Sequence, residues 1–84
     1  MANGTTLEVL YFARVAELTG IREESLPLTS PIAAHEWLRE LEARYPRLAP
    51  VSRLKLAVNQ QHSSHDCLLR PGDEVAIFDP VTGG

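Results

Sequence analysis

Cysteine is almost missing. Cys67 stands alone among 84 residues, so no disulfide can form within the chain, and a reducing, cytoplasmic setting is the expectation. Positive charge is also scarce. Lys and Arg number 8 against 11 Asp and Glu, and no dense basic run occurs. Neither a nucleic-acid nor an anionic-membrane footprint is therefore expected. The apolar runs are only a few residues long, far short of the ~18 that cross a bilayer. Residues 1–6 have no basic stretch and no apolar stretch, so no secretory signal is expected. Also missing are a Ser-His-Asp arrangement, a phosphate-cradling glycine loop and a credible acid–base pair. Catalysis by this chain on its own is thus not expected.

At 84 residues the chain is long enough for one domain and too short for two. A domain of this size buries about 60–65% of the surface its unfolded chain exposes. Nearly every long apolar residue must then serve one core, leaving little volume for an enclosed active site. The general expectation is binding or carrying. No repeat, low-complexity tract or linker divides the sequence.

Leu7 to Ala13 are aliphatic and aromatic with one charge, which predicts a central strand apolar on both faces. Arg14 to Leu18 predict one helical turn that Gly20 stops. Ser25 to Leu28 predict a second strand, placed at an edge because Pro27 has no donor for a ladder. The clearest element is a helix, with Ser30 as N-cap and Pro31 at the first helical position. Ala34, Leu38, Leu41 and Tyr45 recur along one face, joined by Trp37. Pro46 ends the helix near Tyr45, and Pro50 marks a loop.

Leu54 to Val58 predict a third strand, residues 60–66 a polar loop, and Cys67 to Leu69 a brief strand. Arg70-Pro71-Gly72-Asp73 carries Pro and Gly where a type II turn needs them. Glu74 to Phe78 predict the last strand, broken by Asp79-Pro80. Strands grouped around one helix indicate an α+β layer with the helix on one sheet face. The expected architecture is a grasp-like mixed sheet of about five strands covered by one main helix. One domain is expected to span residues 1–84, with 1–6 flexible and 79–84 an extended C-terminal tail.

The chain ends Gly83-Gly84. With glycine near 7% of residues, that pair is expected by chance in roughly 0.5% of chains. A frayed end is the simple structural account. The chemical account is more specific. Residues without Cβ can pass down a channel too narrow for others, and a terminal carboxyl is open from either face. Transfer of AMP from ATP would turn that carboxylate into an acyl-adenylate, and a sulfur nucleophile displacing AMP would leave a thiocarboxylate at Gly84. The last four residues, at no more than about 3.6 Å each, reach outwards by about 14 Å. Pro80 stiffens the exit, and a fixed root lowers the cost of ordering the tail on insertion.

Other chemistry-bearing residues have simpler roles. His62, His65, Asp66 and Cys67 lie within six positions, but their spacing matches no tetrahedral zinc pattern, and no metal site is expected. Cys67 could relay sulfur as a thiolate, although a lone Cys in an apolar run is ordinarily a small core residue. His35 is expected at the surface, Trp37 in the core or at its margin, and the Glu-rich helix face in solvent.

The sequence resembles the small subunits of molybdopterin synthase, ubiquitin-like β-grasp sulfur carriers. The resemblance runs from Leu7 to Gly84. It rests on Leu10-Tyr11-Phe12-Ala13 with Glu17-Leu18-Thr19-Gly20, then Ala57-Val58-Asn59-Gln60. It continues through Asp66-x-x-Leu69-x-x-Gly72-Asp73-Glu74-Val75-Ala76 and Pro80-Val81-Thr82-Gly83-Gly84. The Gly-Asp-Glu-Val segment alone is common in β-grasp domains; joined to both ends it is specific. The resemblance implies that an E1-like, ATP-dependent enzyme adenylates Gly84 and that a sulfur source converts it to the thiocarboxylate. It also implies that Pro80, Val81, Thr82 and Gly83 enter a large catalytic subunit, in an assembly of two small plus two large subunits. There the sulfur would pass to a cyclic pyranopterin precursor. Phe78 and Phe12 form the implied contact patch. No stably bound cofactor is implied, only ATP used by the activating enzyme.

The chain departs from the family pattern at two places. Asp79 stands where many relatives have Pro, which implies a less rigid, charged tail root. Ala16 stands where many bacterial relatives have Arg, and Arg14 is the candidate to supply that charge at the interface. The alternatives are a related Gly-Gly carrier serving thiamine synthesis, tRNA thiolation or protein conjugation, and a ubiquitin-like module that only binds.

Overall fold

Val, Leu, Ile and Tyr recur at every second position of the strands and apolar residues at helical spacing in the main helix, and both patterns converge on one core. The computed structural model describes residues 5–80. In chain order it has β1 (Thr6–Tyr11), α1 (Ala13–Thr19), β2 (Glu23–Pro27), β3 (Ile32–Ala33) and α2 (Ala34–Arg44). Two 3-10 turns, Pro46–Leu48 and Val51–Arg53, lead to β4 (Lys55–Val58), β5 (Gln61–Ser63), β6 (Leu68–Leu69) and β7 (Glu74–Phe78).

The main sheet has five strands in the order β2-β1-β7-β4-β5, and β3 and β6 form a separate pair. It is mixed: β1 runs parallel to β7, while β1–β2, β4–β7 and β4–β5 are antiparallel. β1 and β7 are interior strands, and β2 is an edge that ends on Pro27, where its missing donor does least harm. Leu7, Val9, Tyr11, Leu56, Val75 and Ile77 point to one face and are buried with Ala34, Trp37, Leu38 and Leu41 of α2. Burying each large side chain contributes about 1.5–3 kcal/mol, so this face holds the helix to the sheet.

Two local features work as their residue types predict. Gly20 caps α1 at φ 84°, donating its N–H to the Ala16 carbonyl at 2.8 Å. Gly72 takes φ 94° in the Arg70–Asp73 turn, closed by the Asp73 N–H on the Arg70 carbonyl at 3.0 Å.

The main helix starts later than Ser30 and Pro31 predict. Ala33 is its N-cap and gives no side-chain cap. Ile32 and Ala33 are extended instead, pairing with Leu69 and Leu68. The first free N–H groups of the helix find backbone acceptors across that pair: Ala34 donates to Cys67 O at 2.8 Å and His35 to His65 O at 2.9 Å. Neighbouring carbonyls thus do the work of a capping side chain.

Residues 60–66 are not all loop. Gln61–Ser63 pair with Val58–Leu56 as the edge strand β5. Asn59 and Gln60, both at positive φ (51° and 71°), make the connection, the two-residue hairpin geometry in which both central residues are left-handed. Asn59 stabilises the turn by accepting the Glu74 N–H at Oδ1 (3.0 Å) and donating Nδ2–H to Asp73 Oδ1 (3.1 Å).

Candidate functional site

Side chains alternate along a strand, so burying Tyr11, Leu56, Val75 and Ile77 turns Leu10, Ala57, Ala76 and Phe78 to the opposite face. Among the described residues, α2 packs on the other face of the sheet. The register places Ala76 between Leu10 and Ala57, Lys55 opposite Phe78, and His62 opposite Ala57. His62 meets Phe78 edge-on, with ring centroids 5.4 Å apart at 77°. The result is a flat, mostly apolar strip leading to the end of β7.

Phe12 extends the strip. It lies between β1 and α1 and is 48% exposed, and its N–H donates to Ile77 O at 3.1 Å. The next residue, Ala13, has φ 49°, a left-handed conformation that costs a residue with Cβ about 1–2 kcal/mol. The turn lets the chain leave β1 for α1 while Phe12 stays in solvent. An exposed aromatic beside local backbone strain is an arrangement common at functional surfaces.

At the root of the tail, Asp79 turns to the other side from Phe78. Its carboxylate accepts two contacts from Arg53 Nη2, at 3.0 Å to Oδ2 and 3.2 Å to Oδ1. Arg14 Nε lies 3.7 Å from Oδ2. The charge at the root is therefore paired, and Arg14 directs its guanidinium at the chain's own carboxylate. Pro80 follows and is half-buried. Val81, Thr82, Gly83 and Gly84 lie outside the described residues.

The cluster His62, His65, Asp66 and Cys67 is dispersed by other contacts. His65 donates Nε2–H to Leu54 O at 2.7 Å, and His35 Nδ1 lies 3.2 Å from His65 O. Among the described residues no three of His, Cys, Asp and Glu are grouped to hold a metal ion. Cys67 is half-buried against the core, and burial pushes its thiol pKa up, away from the reactive thiolate.

Sequence reasoning missed Arg53 and His62 as parts of this surface. Neither carries a local signal: each comes beside the tail root only through the register of β4 and β5.

The five-stranded mixed sheet, its main helix and its open face define a ubiquitin-like β-grasp domain. Comparison with family models matches the ThiS family over residues 9–84. The chain is 40% identical over 82 residues to the molybdopterin synthase sulfur carrier subunit of Homo sapiens, covering 93% of each. It is 38% identical to the Escherichia coli K12 protein of the same description, covering 93% of this chain and 99% of the relative. The solved Haloferax volcanii HVO 2177 protein aligns with a TM-score of 0.81 at 27% identity, covering 98% of this chain and 90% of that one. SAMP1 of Haloferax volcanii aligns with a TM-score of 0.78 at 24% identity, covering 94% and 99%, a likeness of fold. The chain belongs to the ThiS family, in the company of molybdopterin synthase sulfur carrier subunits. No helix among the described residues is long and apolar enough to cross a membrane.

Proposed function

We propose that this chain carries sulfur for molybdopterin synthesis as a thiocarboxylate on Gly84. The observation that supports this most is the match to sulfur carrier subunits over 93% of the chain, with the family match running to residue 84. The chain contributes position and a leaving site; acids, bases and ATP come from its partners.

An E1-like enzyme uses ATP to adenylate Gly84: a carboxylate oxygen attacks the α-phosphorus and pyrophosphate leaves. A sulfur nucleophile then attacks the acyl carbon, AMP leaves, and the thiocarboxylate remains. The open face around Phe12 and Phe78 docks on a large catalytic subunit, and Pro80, Val81, Thr82 and Gly83 carry Gly84 into it. There the thiocarboxylate sulfur attacks a carbon of a cyclic pyranopterin precursor and displaces an oxygen leaving group. Water then cleaves the acyl–sulfur bond of the resulting thioester, leaving sulfur on the pterin and a carboxylate on Gly84. Two small and two large subunits complete the assembly, and the carrier itself holds no cofactor.

Reconstitution tests this reading. The thiocarboxylated chain, mixed with a large synthase subunit and the pterin precursor, should yield the dithiolene product. Lysine-linked adducts without product would favour protein conjugation, and unimpaired function after deletion of Gly83 and Gly84 would favour a module that only binds.

A further inference from the structure

Asp79 is acidic, next to the tail, and only 12% exposed at its side chain. It is held from two separate elements. Arg53 ends the second 3-10 turn, which Val51 and Leu54 anchor in the core, and Arg14 lies in the first turn of α1, which Val15 anchors. Each arginine is more than half exposed, so the carboxylate is the enclosed member. Pro80 restricts Asp79 to extended conformations, yet leaves the chain free to pivot beyond Phe78. The carboxylate removes that freedom by tying the first residue after β7 to α1 and to the 3-10 turn.

We propose that Asp79 is a positioning residue for the tail: its ion pairs with Arg53 and Arg14 fix the direction in which the tail leaves the body. The inference rests on the sulfur-carrier reading. Fixing the root before docking lowers the ordering cost of insertion, so the clip acts on association with the partner. It leaves the chemical step alone, because Asp79 stands five residues before the reacting carboxyl of Gly84.

The test uses full-length chain bearing a Gly84 thiocarboxylate, with a large synthase subunit and pterin precursor. The variants are Asp79→Asn, Arg53→Gln and their combination. For a partly exposed pair, Asp79→Asn should raise KM and Kd for the large subunit by about three- to fivefold, with kcat unchanged and the urea unfolding midpoint lowered by no more than about 1 M. The double variant should be no worse than Asp79→Asn alone, which already removes the Arg53 contact. High salt should raise the wild-type KM towards that of the variants. Unchanged KM and Kd in Asp79→Asn, additive effects in the double variant, or a joint loss of kcat and stability would each overturn the proposal. A wild-type chain that binds the large subunit but transfers no sulfur would contradict the carrier reading alone, and the Kd comparison would still decide the role of Asp79.

Discussion

Replacing Tyr11 by Phe deletes one hydroxyl from the group that closes the sheet against the end of α2. Tyr11 is 2% exposed, and its hydroxyl donates to Glu24 Oε2 at 2.5 Å. Tyr45 donates to the same oxygen at 2.7 Å, and the two rings meet edge-on with centroids 6.1 Å apart. A hydrogen bond to a charged group contributes about 1.5–3 kcal/mol. Glu24 is half-buried and keeps Tyr45 as a donor, so Tyr11→Phe should cost about 1.5 kcal/mol, the lower end. Against a total of about 4–12 kcal/mol for a domain of this length, that is easily measured. With a urea m-value of about 1–1.5 kcal/mol/M, the midpoint should fall by about 1 M. Alkali supplies a second reading. Burial, then the Glu24 hydrogen bond, raises the Tyr11 pKa, and the same causes raise that of Tyr45. The folded state therefore holds these protons longer than the unfolded chain, whose tyrosines titrate near pH ~10. Their contribution is complete below that pH and is lost as pH rises above it, by at most about 1.4 kcal/mol per pH unit for each tyrosine. The variant, which keeps only Tyr45, should lose stability less steeply as pH rises above ~10. A midpoint within about 0.2 M of the parent and an unchanged alkaline slope would refute the reasoning.

Gly20→Ala should destabilise by about 1 kcal/mol: φ is 84° and nothing lies within 4 Å of an added Cβ, so the cost is conformational and not steric. Thermal melting checks it, and an unchanged melting temperature would mean that the cap of α1 is not left-handed. Phe12→Ala should weaken binding of the large synthase subunit by about 2 kcal/mol, or thirtyfold, while leaving stability almost unchanged, because Phe12 is 48% exposed. Titration calorimetry beside a urea melt separates the two, and full-strength binding would remove Phe12 from the docking face.

Elements whose local preference and tertiary role agree were legible in the sequence. The apolar runs of β1 and β7, the apolar face of α2 and the Pro71-Gly72 turn each point to the element observed, and β1 is central as expected although only one of its faces is buried. Elements defined by a distant partner were not. Ser30-Pro31 offers a good helix start, but Ile32 and Ala33 gain more by pairing with β6, and the helix begins after them. Gln61-His62-Ser63 is a strand because an Asn59-Gln60 turn folds it onto β4; its polar composition carries no apolar alternation. The same holds for the site. Phe12 and Phe78 are exposed or half-exposed beside the tail root, as a contact patch requires, whereas the meeting of Arg53 with Asp79 depends on chain packing across 26 positions. Asp79 was read as a charge that loosens the tail root, and its two arginine partners give that charge a place.

Whether Gly84 carries sulfur on its carboxyl group is read by intact-mass spectrometry. After incubation with a competent activating enzyme, ATP and a sulfur donor, the chain should gain the mass difference between sulfur and oxygen, and fragmentation should locate it on Gly84. A mass that stays at the carboxylate value, under conditions in which the same enzyme thiolates another carrier, would contradict the account.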